Sequence, residues 1–186
     1  MNTNKLAVLS STIACALLML TSLSAQAAEE LVRWDRIDGI VPNPSGGQVI
    51  AGLNPVTFPW TVSQGKVVFN ATTGRMFFDL KGLAIGAGPT NLALIGTSGA
   101  VQSVKGTVIC NTTGEMLDTE AVSLSSKGDA SFYGRLPYAL TCDDGSWVFL
   151  LRIAGVVPGA PPISERWLAH GAVRTFRTLG LRADDE

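Results

Sequence analysis

The chain has 186 residues, and its 14 Lys and Arg against 15 Asp and Glu give a formal net charge of −1. A near-neutral chain without a basic run does not predict a nucleic-acid partner, because such binding depends on clustered positive charge. The length fits one domain that buries a substantial core.

The first 27 residues have the layout of a cleavable signal peptide. Lys5 is the only charge before Glu29, an apolar stretch follows Lys5, and Ala25-Gln26-Ala27 supplies the small residues that signal peptidase recognises. A retained membrane anchor is one alternative, since the apolar stretch approaches the ~20 residues that cross a bilayer. A lipoprotein anchored at Cys15 is another, although the residues before it lack the usual leucine. We predict cleavage after Ala27.

Cleavage divides the chain into a signal peptide (1–27), a single secreted β-rich domain (28–178) and a polar C-terminal tail (179–186). Removing 27 of 186 residues leaves 159. Cys15 leaves with the signal peptide, so the mature chain keeps an even pair of cysteines. Since an exported chain meets an oxidising compartment, we predict a disulfide between Cys110 and Cys142. Two free buried thiols are the alternative.

Short runs of β-branched and aromatic residues alternate with Gly-, Asn-, Asp- and Pro-containing turns, which is typical of strands. The clearest hairpin joins 66–69 to 75–80 through the turn 70–74. Gly74 is placed to adopt the left-handed conformation that closes such a turn. Alternate residues from Met76 to Leu80 are expected to share one face of the second strand.

Further strands are predicted at 106–110, 121–124 and 130–133. Trp147–Ala154 is almost continuously apolar, which predicts a strand covered on both faces at the centre of the core. Residues 155–162 contain three prolines, which remove ladder donors, so we expect a loop or an edge crossing there. A last strand is expected over 166–174, with a short helix as the alternative.

Many short strands with few helical signals predict an all-β fold. We expect an antiparallel β-sandwich or a small closed barrel that follows the cleavable signal peptide.

The only histidine, His170, anchors one candidate binding patch. Arg166 and Arg174 lie four residues to either side of it, so the three side chains share a face on a strand or on a helix. A small anion is the ligand that they suggest. The alternative is that the arginines are solvated and the histidine is a packing residue. Trp34, Trp60 and Phe58 are contact residues if they are exposed and core residues if they are buried.

Other motifs give no catalytic residue, metal site or cofactor. Gly96–Ala100 resembles a nucleophile elbow, but its last glycine is replaced by alanine and a strand-like segment follows where a helix is required. Asp143-Asp144-Gly145 is expected to be a turn, because a calcium site needs six to eight oxygen ligands. One histidine and two bonded cysteines do not make a zinc site.

The leading functional hypothesis is therefore an exported, non-enzymatic β-domain that acts by binding or assembly in the periplasm or at the cell surface. Its partner is an unknown protein or other envelope component, and we expect no transmembrane segment after signal cleavage. Two alternatives stay open. One is a small secreted hydrolase whose acids converge only in the fold. The other is a lipocalin-like carrier with an apolar cavity inside a closed barrel.

Overall fold

The computed structural model describes residues 29–41, 48–89, 91–160 and 163–179. The predicted signal peptide lies outside these residues, as does the predicted tail from 180 to 186. Within the described residues, no helix is long and apolar enough to cross a membrane. The strands found there are β1 (Glu29–Gly39), β2 (Trp60–Thr61), β3 (Gln64–Asn70), β4 (Arg75–Lys81), β5 (Ala84–Ile85), β6 (Val101–Cys110), β7 (Met116–Asp118), β8 (Val122–Ser123), β9 (Ala130–Arg135), β10 (Trp147–Val156) and β11 (Trp167–Leu179).

Nine of these strands form one antiparallel sheet in the order β7-β6-β10-β11-β1-β3-β4-β9, with β8 also paired to β6. The other two, β2 and β5, pair with each other. The large sheet curls into a half-barrel, which brings side chains of β10 against those of β1 and β4. The all-β, antiparallel prediction is confirmed.

The two ends of the curled sheet are joined by the turn between β8 and β9. In this turn the backbone N–H of Ser125 donates to Asp129 O at 2.9 Å. β8 then pairs with β6 and β9 pairs with β4, so the turn links strands from opposite ends of the sheet. Gly128 has φ 79°, and a Cβ there would overlap the backbone of Leu83. Only glycine fits this close approach.

Aromatic side chains fill the concave side of the sheet. The Phe149 ring lies 5.8 Å from Trp34 and 6.2 Å from Phe78, and Phe69 meets Trp147 at 5.3 Å. All five are buried. Each such side chain contributes roughly 1.5–3 kcal/mol through burial, so this cluster is the centre of the core.

The predicted hairpin is confirmed, because β3 and β4 pair with Val67 opposite Phe78. Gly74 has φ 71°. β10 is covered on both faces as predicted, since Phe149 and Leu150 point to opposite sides and both are fully buried.

The expectation of a loop over 155–162 is corrected at its start. Gly155 and Val156 still belong to β10, and Val156 pairs with Val101. These two residues precede the first proline, Pro158, and therefore keep the backbone N–H groups that a ladder uses. The predicted last strand is confirmed as β11, which begins at Trp167.

The predicted disulfide is present between Cys110 and Cys142, whose Cα atoms lie 5.5 Å apart. It ties the end of β6 to the segment that leads into β10, and both cysteines are buried.

Candidate functional site

The three residues of the predicted anion patch have separate surroundings. Arg166 Nη1 donates to Pro55 O at 3.2 Å, and Arg174 Nη1 donates to Trp147 O at 2.6 Å. The His170 ring packs edge-on against Trp167 at 6.1 Å. A strand rises about 3.3 Å per residue, so His170 and Arg174 are separated by roughly 13 Å along β11.

The structure therefore gives each of these three side chains a different contact, and a shared ligand role for them stays a prediction. Of the aromatic candidates, Trp34 is 2% exposed and Trp60 is 5% exposed, so both are core residues. Phe58 is 42% exposed.

The two motifs that resemble a nucleophile elbow and a calcium loop, Gly96–Ala100 and Asp143-Asp144-Gly145, both lie in turns. Ser98 is buried and lies in a turn in which Thr97 Oγ1 donates to Leu94 O and accepts from Gly99 N. A strand, β6, follows from Val101, so the geometry of a nucleophile elbow is missing.

In the turn at Asp143-Asp144-Gly145, neighbouring residues donate hydrogen bonds to the carboxylate of Asp144. Asp144 accepts hydrogen bonds from Thr112 Oγ1 at 2.5 Å and from Ser146 N at 2.9 Å. These bonds, of which the one from Thr112 has the largest effect, lower the pKa of Asp144 to about 2. Asp144 also lies beside the sulfurs of Cys110 and Cys142. Because those sulfurs are bonded to each other, they are not free thiolate ligands for a metal.

A network of four charged side chains lies where β6, β7 and β10 meet the turn before β11. Arg152, which is 5% exposed, donates to both carboxylate oxygens of Asp118, at 2.9 and 3.2 Å, and to Glu165 Oε2. Lys105 Nζ contacts the same two carboxylates at 2.8 and 2.9 Å. Thr107 Oγ1 adds a hydrogen bond to Asp118 at 2.7 Å.

Two positive and two negative charges thus neutralise each other in this network. Burial opposes the ionisation of Asp118, but the bonds from Lys105 and Thr107 and the charge of Arg152 outweigh it, so the pKa of Asp118 is lowered. Burial likewise opposes the charge of Lys105, yet its bonds to Asp118 and Glu165 raise the pKa of Lys105. Every charged group has a partner within the network, which fits a structural role.

The outward side of β3, β4 and β9 carries an exposed aromatic and basic surface, which we call the β3–β4–β9 face. Its most prominent residue is Tyr133, which is 83% exposed and lies directly opposite Phe77. Lys66 Nζ lies 5.5 Å from the centre of the Phe77 ring, within cation–π distance. The residues of this face are Lys66, Val68, Arg75, Phe77, Asp79, Ser131, Tyr133 and Arg135.

Two arginines stand directly opposite each other on this face, Arg75 on β4 and Arg135 on β9. Like charges in directly opposed positions destabilise a pair of strands. Arg135 is held in place because its Nε donates to Thr73 O at 2.6 Å. Both side chains are exposed, so an approaching anion has access to both.

An open cleft of about 320 Å³ adjoins this face at its β3 side. Lys66 and Asp79 belong to both the cleft and the face. The residues that line the cleft are Asp35, Arg36, Gln64, Gly65, Lys66 and Asp79.

The chain matches no family model, no curated protein and no solved structure.

Proposed function

We propose that this chain is an exported, non-enzymatic β-domain that binds an anionic partner in the periplasm or at the cell surface through the β3–β4–β9 face. The observation that carries the proposal is the highly exposed Tyr133, which lies opposite Phe77 and next to the opposed Arg75 and Arg135. Residues 1–27 act in this proposal as the signal peptide. The buried Cys110–Cys142 disulfide supports it, because such bonds persist in oxidising compartments.

The electrostatics of the face favour an anionic group. The chain as a whole has a formal charge of −1, yet this face carries three basic residues, Lys66, Arg75 and Arg135, and one acid, Asp79. A phosphate or carboxylate between the two arginines would replace their repulsion with charge-assisted hydrogen bonds. Tyr133 beside them offers a flat apolar ring with a hydroxyl at its end, a combination that is common in binding surfaces.

The finer description of the fold belongs to the same proposal. Because the turn at 124–129 joins the two ends of the curled sheet, we take the domain to be a closed barrel rather than a sandwich. The aromatic cluster around Phe149 fills its concave side, which leaves little room for the apolar cargo of a lipocalin-like carrier.

A small hydrolase is the second candidate, and the cleft beside the face is the observation in its favour. Asp35 and Asp79 both line this cleft, and glycoside hydrolysis uses two carboxyl groups across a cleft. Asp118 and Glu165 also lie close together, but both are bonded to Arg152 and Lys105. If Asp35→Asn and Asp79→Asn each abolished a measured glycosidase activity, the hydrolase would replace the binding domain.

The binding proposal is tested by pull-down from an envelope extract with the mature chain as bait. Arg75→Gln removes one exposed charge from the face, and Lys127→Gln is the matched control because Lys127 is exposed in the turn after β8. We expect Arg75→Gln to weaken retention of the partner roughly tenfold, as the loss of a charge-assisted bond predicts. Lys127→Gln should retain the partner like the wild type.

Tyr133→Ala should reduce retention as well, with an unchanged circular dichroism spectrum. Equal retention by the wild type, Arg75→Gln and Tyr133→Ala would show that the partner binds elsewhere or does not exist.

A further inference from the structure

Exposed apolar side chains are concentrated at one end of the large sheet, where β1 and β10 finish and β6 and β11 begin. The described residues of three loops, within 40–59, 86–100 and 157–166, lie at this end. They carry seven of the nine large apolar side chains that are exposed among the described residues, namely Val41, Val49, Phe58, Leu92, Leu94, Ile95 and Val157. Single exposed apolar residues are ordinary, but a concentration of them marks a binding surface.

The most prominent part of this surface is the segment 91–99, which we call the apolar loop. Leu92 is 73% exposed, and Leu94 and Ile95 are also exposed. The apolar loop lies within 23 consecutive residues, 82 to 104, that include no Asp, Glu, Lys or Arg. No charge therefore has to leave water if the loop enters an apolar medium, which removes the largest cost of such a transfer.

Six backbone N–H groups of the apolar loop already have acceptors within the protein. Asn91 Oδ1 accepts from Ala93 N at 3.1 Å, and Thr97 Oγ1 accepts from Gly99 N at 3.1 Å. The six N–H groups are those of Ala93, Leu94, Ile95, Gly96, Thr97 and Gly99. Internal satisfaction of backbone polar groups is what a segment needs in order to exchange water for lipid.

Two further exposed side chains extend the apolar loop into a continuous surface. A Cβ at Gly88 would lie 3.0 Å from Phe58 Cδ1, so Phe58 packs beside the segment that leads into the loop. On the other side, Val157 N–H donates to Ala100 O at 2.9 Å. Phe58 and Val157 thus flank the apolar loop and add to the area that it presents.

We propose that the apolar loop inserts into the surface of a phospholipid bilayer and holds the domain there. Leu92, Leu94 and Ile95 enter to a depth of roughly 5–10 Å, at the boundary between headgroups and acyl chains, while the sheet stays outside. The β3–β4–β9 face is not part of this contact, because Arg75 and Arg135 lie at the opposite end of their strands. The contact with lipid therefore goes beyond the binding of an anionic partner.

A bilayer fits the apolar loop better than a protein partner does. A protein interface carries about ten direct hydrogen bonds and is enriched in Tyr, Trp and Arg. The apolar loop contains none of these three residue types, and six of its N–H groups are already bonded. The acyl region of a bilayer takes up aliphatic side chains and offers no hydrogen bonds.

Cosedimentation of the mature chain with vesicles of pure phosphatidylcholine tests this proposal. These vesicles carry no net charge, so we expect binding that is the same at low and at high salt. Leu92→Asp places a charge at the most exposed position of the loop and should lower the partition coefficient about tenfold or more. Tyr138→Asp is the matched control and should bind like the wild type. Tyr138 is 53% exposed and lies at the opposite end of the sheet, beside Gly74.

A fluorescence measurement locates the inserted residue. The four natural tryptophans are buried, so bromine atoms on the acyl chains should not quench the wild type. We expect the added fluorescence of Leu92→Trp to shift to the blue and to be quenched by vesicles of brominated phosphatidylcholine. Tyr138→Trp should show neither change. Both variants should keep the circular dichroism spectrum of the wild type.

Several outcomes would overturn the proposal. These are a wild type that does not bind neutral vesicles, a Leu92→Asp variant that binds like the wild type, or a Leu92→Trp variant that is not quenched. Binding to anionic vesicles alone would assign the membrane contact to basic residues instead. Self-association in the absence of lipid that Leu92→Asp abolishes, together with no vesicle binding, would identify a second copy of the chain as the occupant.

The failure of this proposal and the failure of the binding proposal are distinguishable. Arg75→Gln should lose the anionic partner and still bind neutral vesicles. Leu92→Asp should release the vesicles and still retain the anionic partner in the pull-down.

Discussion

Glu165 combines backbone strain with several stabilising contacts. Its φ of 71° lies in the left-handed region, which costs a non-glycine residue roughly 1–2 kcal/mol. Its side chain binds Arg152 and Lys105, while its backbone N–H donates to Ile153 O at 2.9 Å. The surrounding contacts therefore hold the residue in a conformation that it would not adopt alone.

This balance predicts different effects for two substitutions at the same position. Glu165→Ala and Glu165→Gly both remove the carboxylate, but only glycine relieves the backbone strain. We expect Glu165→Gly to be the more stable of the two by about 1 kcal/mol in urea denaturation, and both to be less stable than the wild type. If the alanine variant were equal to or more stable than the glycine variant, the strain at this turn would be absent in solution.

At the scale of elements, the disulfide closes a long segment between β6 and β10. The two cysteines are 32 residues apart in sequence, and cross-linking a loop of this length stabilises the folded state by about 3–4 kcal/mol in the chain-entropy model. We expect the double variant Cys110→Ala, Cys142→Ala to lose about this much free energy of unfolding. Urea denaturation of the wild type with and without reductant checks the result. A loss below about 1 kcal/mol would contradict the entropic account.

Strands with a local signature were predictable from the sequence, and β1 was not. The β3–β4 hairpin has alternating residues and a turn glycine, and β10 is a continuous apolar run. β1 carries charges at six of its first ten residues, and its buried positions Val32, Trp34 and Ile37 change in spacing from two to three. No regular period is present to identify it. β1 lies in the sheet because of its pairing with the distant β11.

The candidate site, like the strands, was only partly predictable from the sequence. The hairpin pattern predicted one shared face for alternate residues from Met76 to Leu80, which leaves Arg75, Phe77 and Asp79 together on the other face, a part of the surface that the structure shows. Tyr133 and Arg135 reach this surface only because β9 pairs with β4 across more than fifty residues of chain. Such pairing is decided by the whole packed core and leaves no local signal.

At the scale of the whole molecule, the charge network predicts how stability depends on pH. The pKa of Asp118 is lowered from its ordinary value of 3.8 in the folded state, so its contribution is complete above about pH 4 and is lost as the pH falls further. The pKa of Lys105 is raised from 10.5, so its contribution is complete below that value and is lost at higher pH. We expect the free energy of unfolding to fall at both extremes.

The variant Asp118→Asn distinguishes the contribution of Asp118 to acid unfolding from that of the other acids of the chain. The amide keeps the size of the side chain but cannot titrate, so the variant should be less stable than the wild type at neutral pH and should lose less stability on acidification. Urea denaturation between about pH 2 and pH 7 measures both effects. Equal losses for the two proteins would mean that groups other than Asp118 govern acid unfolding. Because Asp118 joins β7 to β10 through Arg152, such a result would also remove the charge network as the support of that end of the sheet.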